Sequence, residues 1–112
     1  DFHTVTYSPT LNRFVALGID CCMYSSNAVT WYEVAMPVAS FWRDVAWSSE
    51  LGKFYVVADA GTYRLASSAD GINWTEELAV VNNSWSGLVW STELRIFVSV
   101  AYTGTSETVM LY

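Results

Sequence analysis

The chain repeats itself, and that limits its fold more than any other feature. Phe2, His3, Thr4, Val5, Thr6, Tyr7, Ser8 returns as Trp42, Arg43, Asp44, Val45, Ala46, Trp47, Ser48 and again as Trp85, Ser86, Gly87, Leu88, Val89, Trp90, Ser91. The shared pattern is aromatic, variable pair, Val or Leu, small or Val, aromatic, Ser. Leu11 and Phe14 follow the first copy as Leu51 and Phe54 follow the second and Leu94 and Phe97 the third, so the copies start 40 and then 43 residues apart. A period of that length makes each copy one supersecondary unit whose faces are covered by its neighbours.

Within the second copy, short apolar runs separated by turn residues predict four strands, Arg43 to Ser48, Phe54 to Asp59, Thr62 to Ser68 and Trp74 to Leu78. Turns fall at Ser49 to Gly52, at Ala60 and Gly61, and at Ala69 to Asn73, where small and polar residues gather. No segment has helical periodicity. The second strands, Phe14 to Leu17, Phe54 to Ala58 and Phe97 to Val100, are nearly continuous apolar runs, which predicts cover on both faces. A content of 53% hydrophobic and 16% aromatic residues in 112 supplies the side chains for that.

These features predict an all-β fold in which four-stranded antiparallel sheets stack radially as propeller blades. The chain reads as one domain, 1–112, with blade 1 at about 2–40, blade 2 at about 42–83 and an incomplete blade 3 at about 85–112. Closed propellers take about four to eight blades. The expected partners are therefore the remaining blades of a longer polypeptide, or copies of this chain closing a ring. The last run, Glu107 to Tyr112, would otherwise present an uncovered strand edge.

The third turn of blade 2, Ser68, Ala69, Asp70, Gly71, Ile72, Asn73, Trp74, resembles the Asp-box of the bacterial neuraminidase repeat, one residue shorter than the usual Ser, any, Asp, any, Gly, any, Thr, Trp. A cruder copy in blade 1, Ser26 to Trp31, keeps Ser, Thr and Trp without Asp or Gly. Val45 to Val57 is similar to repeats of phage tail and bacterial surface proteins. The resemblance implies a structural turn at the propeller rim, away from the ligand-binding face, with Ser68, Asp70, Gly71 and Trp74, and Ser26 and Trp31, holding it. It also implies a virion, extracellular or cell-surface setting.

With 5 basic against 11 acidic residues, the net charge of −6 repels phosphate backbones and anionic membranes, so neither nucleic acid nor a membrane is an expected partner. No apolar run reaches the roughly 18 residues of a membrane helix, and the start lacks a basic stretch followed by an apolar one, so the chain reads as soluble and mature. Cys21 and Cys22 are neighbours whose side chains point to opposite faces of a strand, so they read as small apolar residues rather than a disulfide. With His3 the only histidine, neither a metal site nor a cofactor is expected.

What recurs in every copy points to packing; what differs is free to be specialised. The aromatics Phe2, Trp42 and Trp85 recur just before the innermost strand, where a ring could pack between blades or stack on a sugar. At the next position His3, Arg43 and Ser86 differ, and Asp44 lies beside Arg43. Phe2, His3, Trp42, Arg43, Asp44 and Trp85 are thus the candidate ligand-binding residues. Asp-box proteins include glycoside hydrolases, so a catalytic reading has to be weighed. Such enzymes need paired carboxyls or an arginine cluster with a tyrosine nucleophile. Arg13 and Arg95 read as turn residues, as do Glu50 and Glu93, and Arg43 and Arg64 alone make no triad. The expected role is a non-catalytic structural or ligand-presenting segment, the alternative being part of a hydrolase whose catalytic residues lie mostly elsewhere.

Overall fold

The computed structural model describes residues 2–18, 20–36, 40–79, 83–103 and 109–111. Every regular element among them is a strand. The first sheet holds β1 (Phe2–Ser8), β2 (Arg13–Gly18), β3 (Cys22–Ser25) and β4 (Tyr32–Val34), paired antiparallel in chain order. The second holds β5 (Trp42–Ser48), β6 (Lys53–Ala58), β7 (Leu65–Ser68) and β8 (Thr75–Glu77) in the same order. The third consists of β9 (Ser84–Ser91), β10 (Ile96–Thr103) and β11 (Val109–Leu111). Of the expected last strand, Glu107, Thr108 and Tyr112 lie outside the described residues.

The three sheets stack face to face, with β5 packed against β1 on one side and β9 on the other. One apolar layer sets Val15, Leu17 and Cys22 of the first sheet against Trp42, Val45 and Phe54 of the second. A second layer sets Tyr55, Val57 and Leu65 of the second sheet against Trp85, Leu88 and Phe97 of the third, with the Tyr55 and Phe97 rings 4.5 Å apart. The central strand β6 is therefore covered on both faces, as its unbroken apolar run predicts. In β10 only one face is covered, for Phe97 and Ser99 are buried whereas Val100 is exposed.

The first hairpin turn is built alike three times. The hydroxyl oxygens of Ser8, Ser48 and Ser91 accept the amides of Leu11, Leu51 and Leu94 at 3.1, 3.1 and 3.2 Å, which explains why Ser and Leu recur at that spacing. The residue after each leucine turns left-handed: Asn12 at φ 51°, Gly52 at 64° and Arg95 at 56°. Glycine and asparagine tolerate that conformation, whereas a long side chain is strained there. Arg95→Gly is expected to raise the unfolding free energy by about 1 kcal/mol. A urea midpoint no higher than that of the parent would show the turn to be unstrained.

The second turn departs from expectation. The third strand of the second sheet starts at Leu65 rather than Thr62, because the Arg64 side chain winds the preceding backbone. It donates to the Gly61 and Asp59 carbonyls at 2.8 and 2.9 Å and reaches the Asn83 carbonyl at 2.8 Å.

The box turn between β7 and β8 is held from within. The Ser68 hydroxyl oxygen accepts the Asp70 and Gly71 amides at 3.3 and 2.8 Å and donates to Asp70 Oδ1, which accepts the Ile72 and Asn73 amides at 2.8 Å each. Asp70 Oδ2 takes the Asn73 side-chain amide. Trp74 is buried and lies 6.4 Å from the Phe54 ring, pinning the turn to its own sheet. Partial burial works against the Asp70 charge, but the Asn73 amide and side chain, the Ile72 amide and Ser68 outweigh it and bring the pKa to about 2.

The corresponding turn of the first sheet corrects the sequence reading. Its serine is Ser25, not Ser26: Ser25 is buried and accepts the Asn27 and Ala28 amides at 3.2 and 2.9 Å, while Ser26 is exposed. Asn27 Oδ1 accepts the Val29 and Thr30 amides at 2.9 and 2.8 Å, as Asp70 does in the second sheet, and Ala28 takes the left-handed conformation of Gly71 at φ 62°. A carboxamide oxygen accepts two amides as a carboxylate oxygen does, so the turn forms without Asp or Gly. Trp31 is half-buried, 6.3 Å from Phe14.

The two turns differ in charge, and pH separates them. Because the Asp70 pKa is lowered from 3.8 to about 2, its stabilising contribution is complete above about pH 4 and is lost as pH falls towards 2. Asp70→Asn, which copies Asn27, is expected to keep the turn and flatten that part of the stability profile. An unchanged acid slope in Asp70→Asn, followed by urea unfolding from pH 5 to 2, would place the titration elsewhere.

Candidate functional site

The register separates the two ends of each sheet. Phe54 pairs with Trp47 and Ser68, so the first hairpin turn and the box turn share one end. Trp42 pairs with Ala58 and Val57 with Leu65, so the start of β5, the Asp59 loop and the start of β7 share the other.

At that second end every innermost strand carries a bulge. Phe2 pairs with Gly18 and Thr4 with Leu17, leaving His3 as the extra residue. Trp42 pairs with Ala58 and Asp44 with Val57, leaving Arg43. Trp85 pairs with Ala101 and Gly87 with Val100, leaving Ser86. The first position of each variable pair is therefore the bulged one, while the second, Thr4, Asp44 or Gly87, stays in the ladder; a bulge re-aims its side chain out of the ladder.

Each bulge is used differently. His3 Nε2 lies 2.9 Å from the Arg43 carbonyl and Ser86 bonds the Val100 carbonyl at 3.2 Å. Arg43 reaches Asp59, Nε to Oδ2 2.5 Å, and the Tyr102 hydroxyl donates to the same oxygen at 3.1 Å. The Asp59 side chain is 4% exposed and that of Arg43 39%, so the carboxylate is an inner anchor that fixes a guanidinium partly open to solvent. The Phe41 carbonyl accepts the Asp59 amide at 3.1 Å, and the Phe41 and Tyr102 rings are exposed. An exposed Tyr102 ring and an oriented guanidinium on one carboxylate, with the exposed Phe41 joined to the same loop through its backbone, suit recognition of a polar ligand with an apolar face. Asp59 and Tyr102 were not among the sequence candidates, although they occupy equivalent positions after Ala58 and Ala101 and differ in type, the signal that singled out Arg43.

The three recurring aromatics divide. Trp42 and Trp85 are each 1% exposed, inside the two apolar layers, so neither offers a face to a ligand; this corrects their place among the candidate binding residues. Burying an indole returns a large apolar area to the core, which is why the position is Trp in the second and third copies. Phe2, at 47%, stays open. Asp44 is not displayed either. Its Oδ1 accepts the Thr4 hydroxyl at 2.6 Å and the Val45 amide at 2.9 Å, and its Oδ2 accepts the Leu88 amide at 2.8 Å, so one carboxylate ties the innermost strands of all three sheets.

Both cysteines are free. Burial, then the neighbouring Cys21, pushes the Cys22 thiol up to about 12, with the Trp74 indole only partly offsetting them. Native protein at pH 8 is expected to leave Cys22 unlabelled by iodoacetamide and to yield it only in denaturant. Native modification of Cys22, read by peptide mass, would contradict its burial. Among the described residues no three His, Cys, Asp or Glu side chains gather where they could hold a metal ion.

No protein-family model matches the chain, and no curated protein matches its sequence. Among solved structures it is similar to virginiamycin B lyase from Staphylococcus aureus, with a TM-score of 0.69 at 8% identity. It is also similar to YCF48 from Cyanidioschyzon merolae, with a TM-score of 0.72 at 14% identity. Each superposition takes in 96% of this chain but only 40% and 33% of those proteins' lengths. At such identities the likeness speaks for the fold, and the fold is all-β: these sheets are blades of part of a β-propeller.

Proposed function

We propose that this partial propeller is a non-catalytic structural or ligand-presenting module of the Asp-box type, from a phage tail or other virion protein or a bacterial surface protein. The observation that carries the ligand-presenting part is the segregation of the repeat. Aromatic, Ser and Leu residues shared by the copies build the blade layers and turns, while one position that differs in every copy, His3, Arg43 or Ser86, occupies the bulge at one end. The Ser68, Asp70, Gly71, Trp74 turn supports the Asp-box assignment, and the setting follows from the proteins in which such repeats abound.

A glycan is the ligand class that an oriented guanidinium with open rings would take. The test is retention of the isolated protein on a panel of immobilised bacterial and host glycans. Phe41→Ala and Tyr102→Ala, both at exposed rings, are expected to abolish retention, with the unfolding free energy within about 0.5 kcal/mol of the parent for Phe41→Ala and about 1 kcal/mol lower for Tyr102→Ala, which loses its hydrogen bond to Asp59. Retention undiminished in both variants would remove the rings from recognition, and no retention of the parent on any glycan would leave the module structural. Turnover of an aryl glycoside by the purified chain would overturn the non-catalytic reading.

A further inference from the structure

The two blade junctions within the chain are made in one way. The face carrying the inner aromatic, the central Val or Leu and the Phe of the second strand enters the face carrying the alternate residues of the preceding sheet. Two copies of those faces stay open. On the first sheet Val5 is 58% exposed, whereas its equivalents Val45 and Leu88 are 4% and 9%. On the third sheet Val100 is 55% exposed, whereas its equivalent Val57 is 0%, and Val89 is open beside it. The polar edge is matched as well. Glu50 of the second sheet accepts the Trp90 indole at 3.0 Å, and its charged form is favoured by Ser49 first, then Thr92, with Trp90 adding. Glu93 and Tyr7 hold the positions of Glu50 and Trp90 on the two open faces.

We infer that the open face of the first sheet docks the open face of the third sheet in a second copy of this chain. In that head-to-tail contact Val5 packs on Val89 and Val100, and Tyr7 turns from Asn12 towards Glu93. Because the joined surfaces differ, the contact is heterologous, so copies add in one direction until a ring closes. One mismatch limits its strength. Gly71 has no room for a Cβ, which would meet Val15 Cγ2 at 2.7 Å. Its equivalent on the open side is Ala28, which would face Val98 of the docked copy in the same way.

The inference rests on the propeller fold and not on glycan recognition, so failure of assembly would leave glycan retention unaffected. Sedimentation velocity across a concentration series of the whole chain tests it. The parent is expected to form discrete multiples of the single-chain mass. Val5→Asp and Val89→Asp, each at an exposed residue, should be folded monomers alone and form a 1:1 dimer when mixed, since each keeps the face the other has lost. Ala28→Gly is expected to tighten association about tenfold by removing the crowded methyl group. A parent that stays monomeric, variants that assemble like the parent, or a mixture that does not dimerise would each overturn the inference. A circular dichroism spectrum matching the parent confirms that the variants are folded.

Discussion

Gly71→Ala should be among the most damaging single changes in the chain, lowering the unfolding free energy by about 3 kcal/mol. Two costs add. At φ +76° an L-residue costs about 1–2 kcal/mol. The new Cβ would also lie 2.7 Å from Val15 Cγ2 and 3.2 Å from Phe54 Cε2, both fully buried, and overpacking of that kind costs about 1–3 kcal/mol. Gly52→Ala separates the two costs. Gly52 is also left-handed, at φ +64°, but a Cβ there meets nothing within 4 Å, so only the backbone cost of about 1 kcal/mol is expected. If urea unfolding finds equal losses for the two variants, the Val15 contact is not tight and the wedge between blades is not real. A cycle with Val15→Ala provides a further check: removing the obstructing methyl groups should make the double variant more stable than the sum of the single losses implies.

That wedge shows what a single sequence reveals and what it hides. The strands, their order within each blade and the hairpin turns were legible, because the local chemistry repeats: Ser before the turn, Leu inside it, an aromatic after it. The role of Gly71 at a junction was not, since Val15 is 56 residues away in sequence and only stacking brings it near. The box of the first sheet was misplaced by one residue because Ser25 and Ser26 are both serine, and only the hydrogen bonds distinguish them. Asn27 escaped notice because the motif is written with Asp, while the turn needs only an oxygen that accepts two amides. The bulges were illegible in principle: an extra residue in one strand becomes visible only against its partner strand. Repeat comparison nevertheless found His3, Arg43 and Ser86 as the variable positions, because a side chain turned out of the ladder is released from the packing that holds its neighbours constant. The same comparison could not separate the aromatics. Trp42, Trp85 and Phe2 are equivalent in sequence, and only the presence or absence of a neighbouring blade decides which is buried.

Asp44→Ala should cost about as much as Gly71→Ala, by a different route. The carboxylate touches the innermost strand of each sheet, accepting from Thr4 on one side and from the Leu88 amide on the other. Hydrogen bonds to a charged acceptor contribute about 1.5–3 kcal/mol each, and a stranded half-buried amide costs about 1–3 kcal/mol, so a loss of about 3 kcal/mol is expected. Asp44→Asn tests the division between the two oxygens. A carboxamide oxygen can still serve Thr4 and Val45, but its NH2 group then confronts the Leu88 N–H, donor against donor. The Asn variant should therefore lose about half as much, and the loss should be localised. Exchange of the Leu88 amide, followed by NMR in heavy water, should quicken in both variants and stay slow in Thr4→Val, which removes only the link to the first sheet. If Asp44→Asn leaves that amide as protected as in the parent, the third blade is held by its apolar layer and by the Trp90–Glu50 and Tyr102–Asp59 hydrogen bonds rather than by Asp44. Burial of Trp85, Leu88 and Phe97 would then fix the spacing of the second and third blades, and Asp44 would tie the first sheet to the second through Thr4.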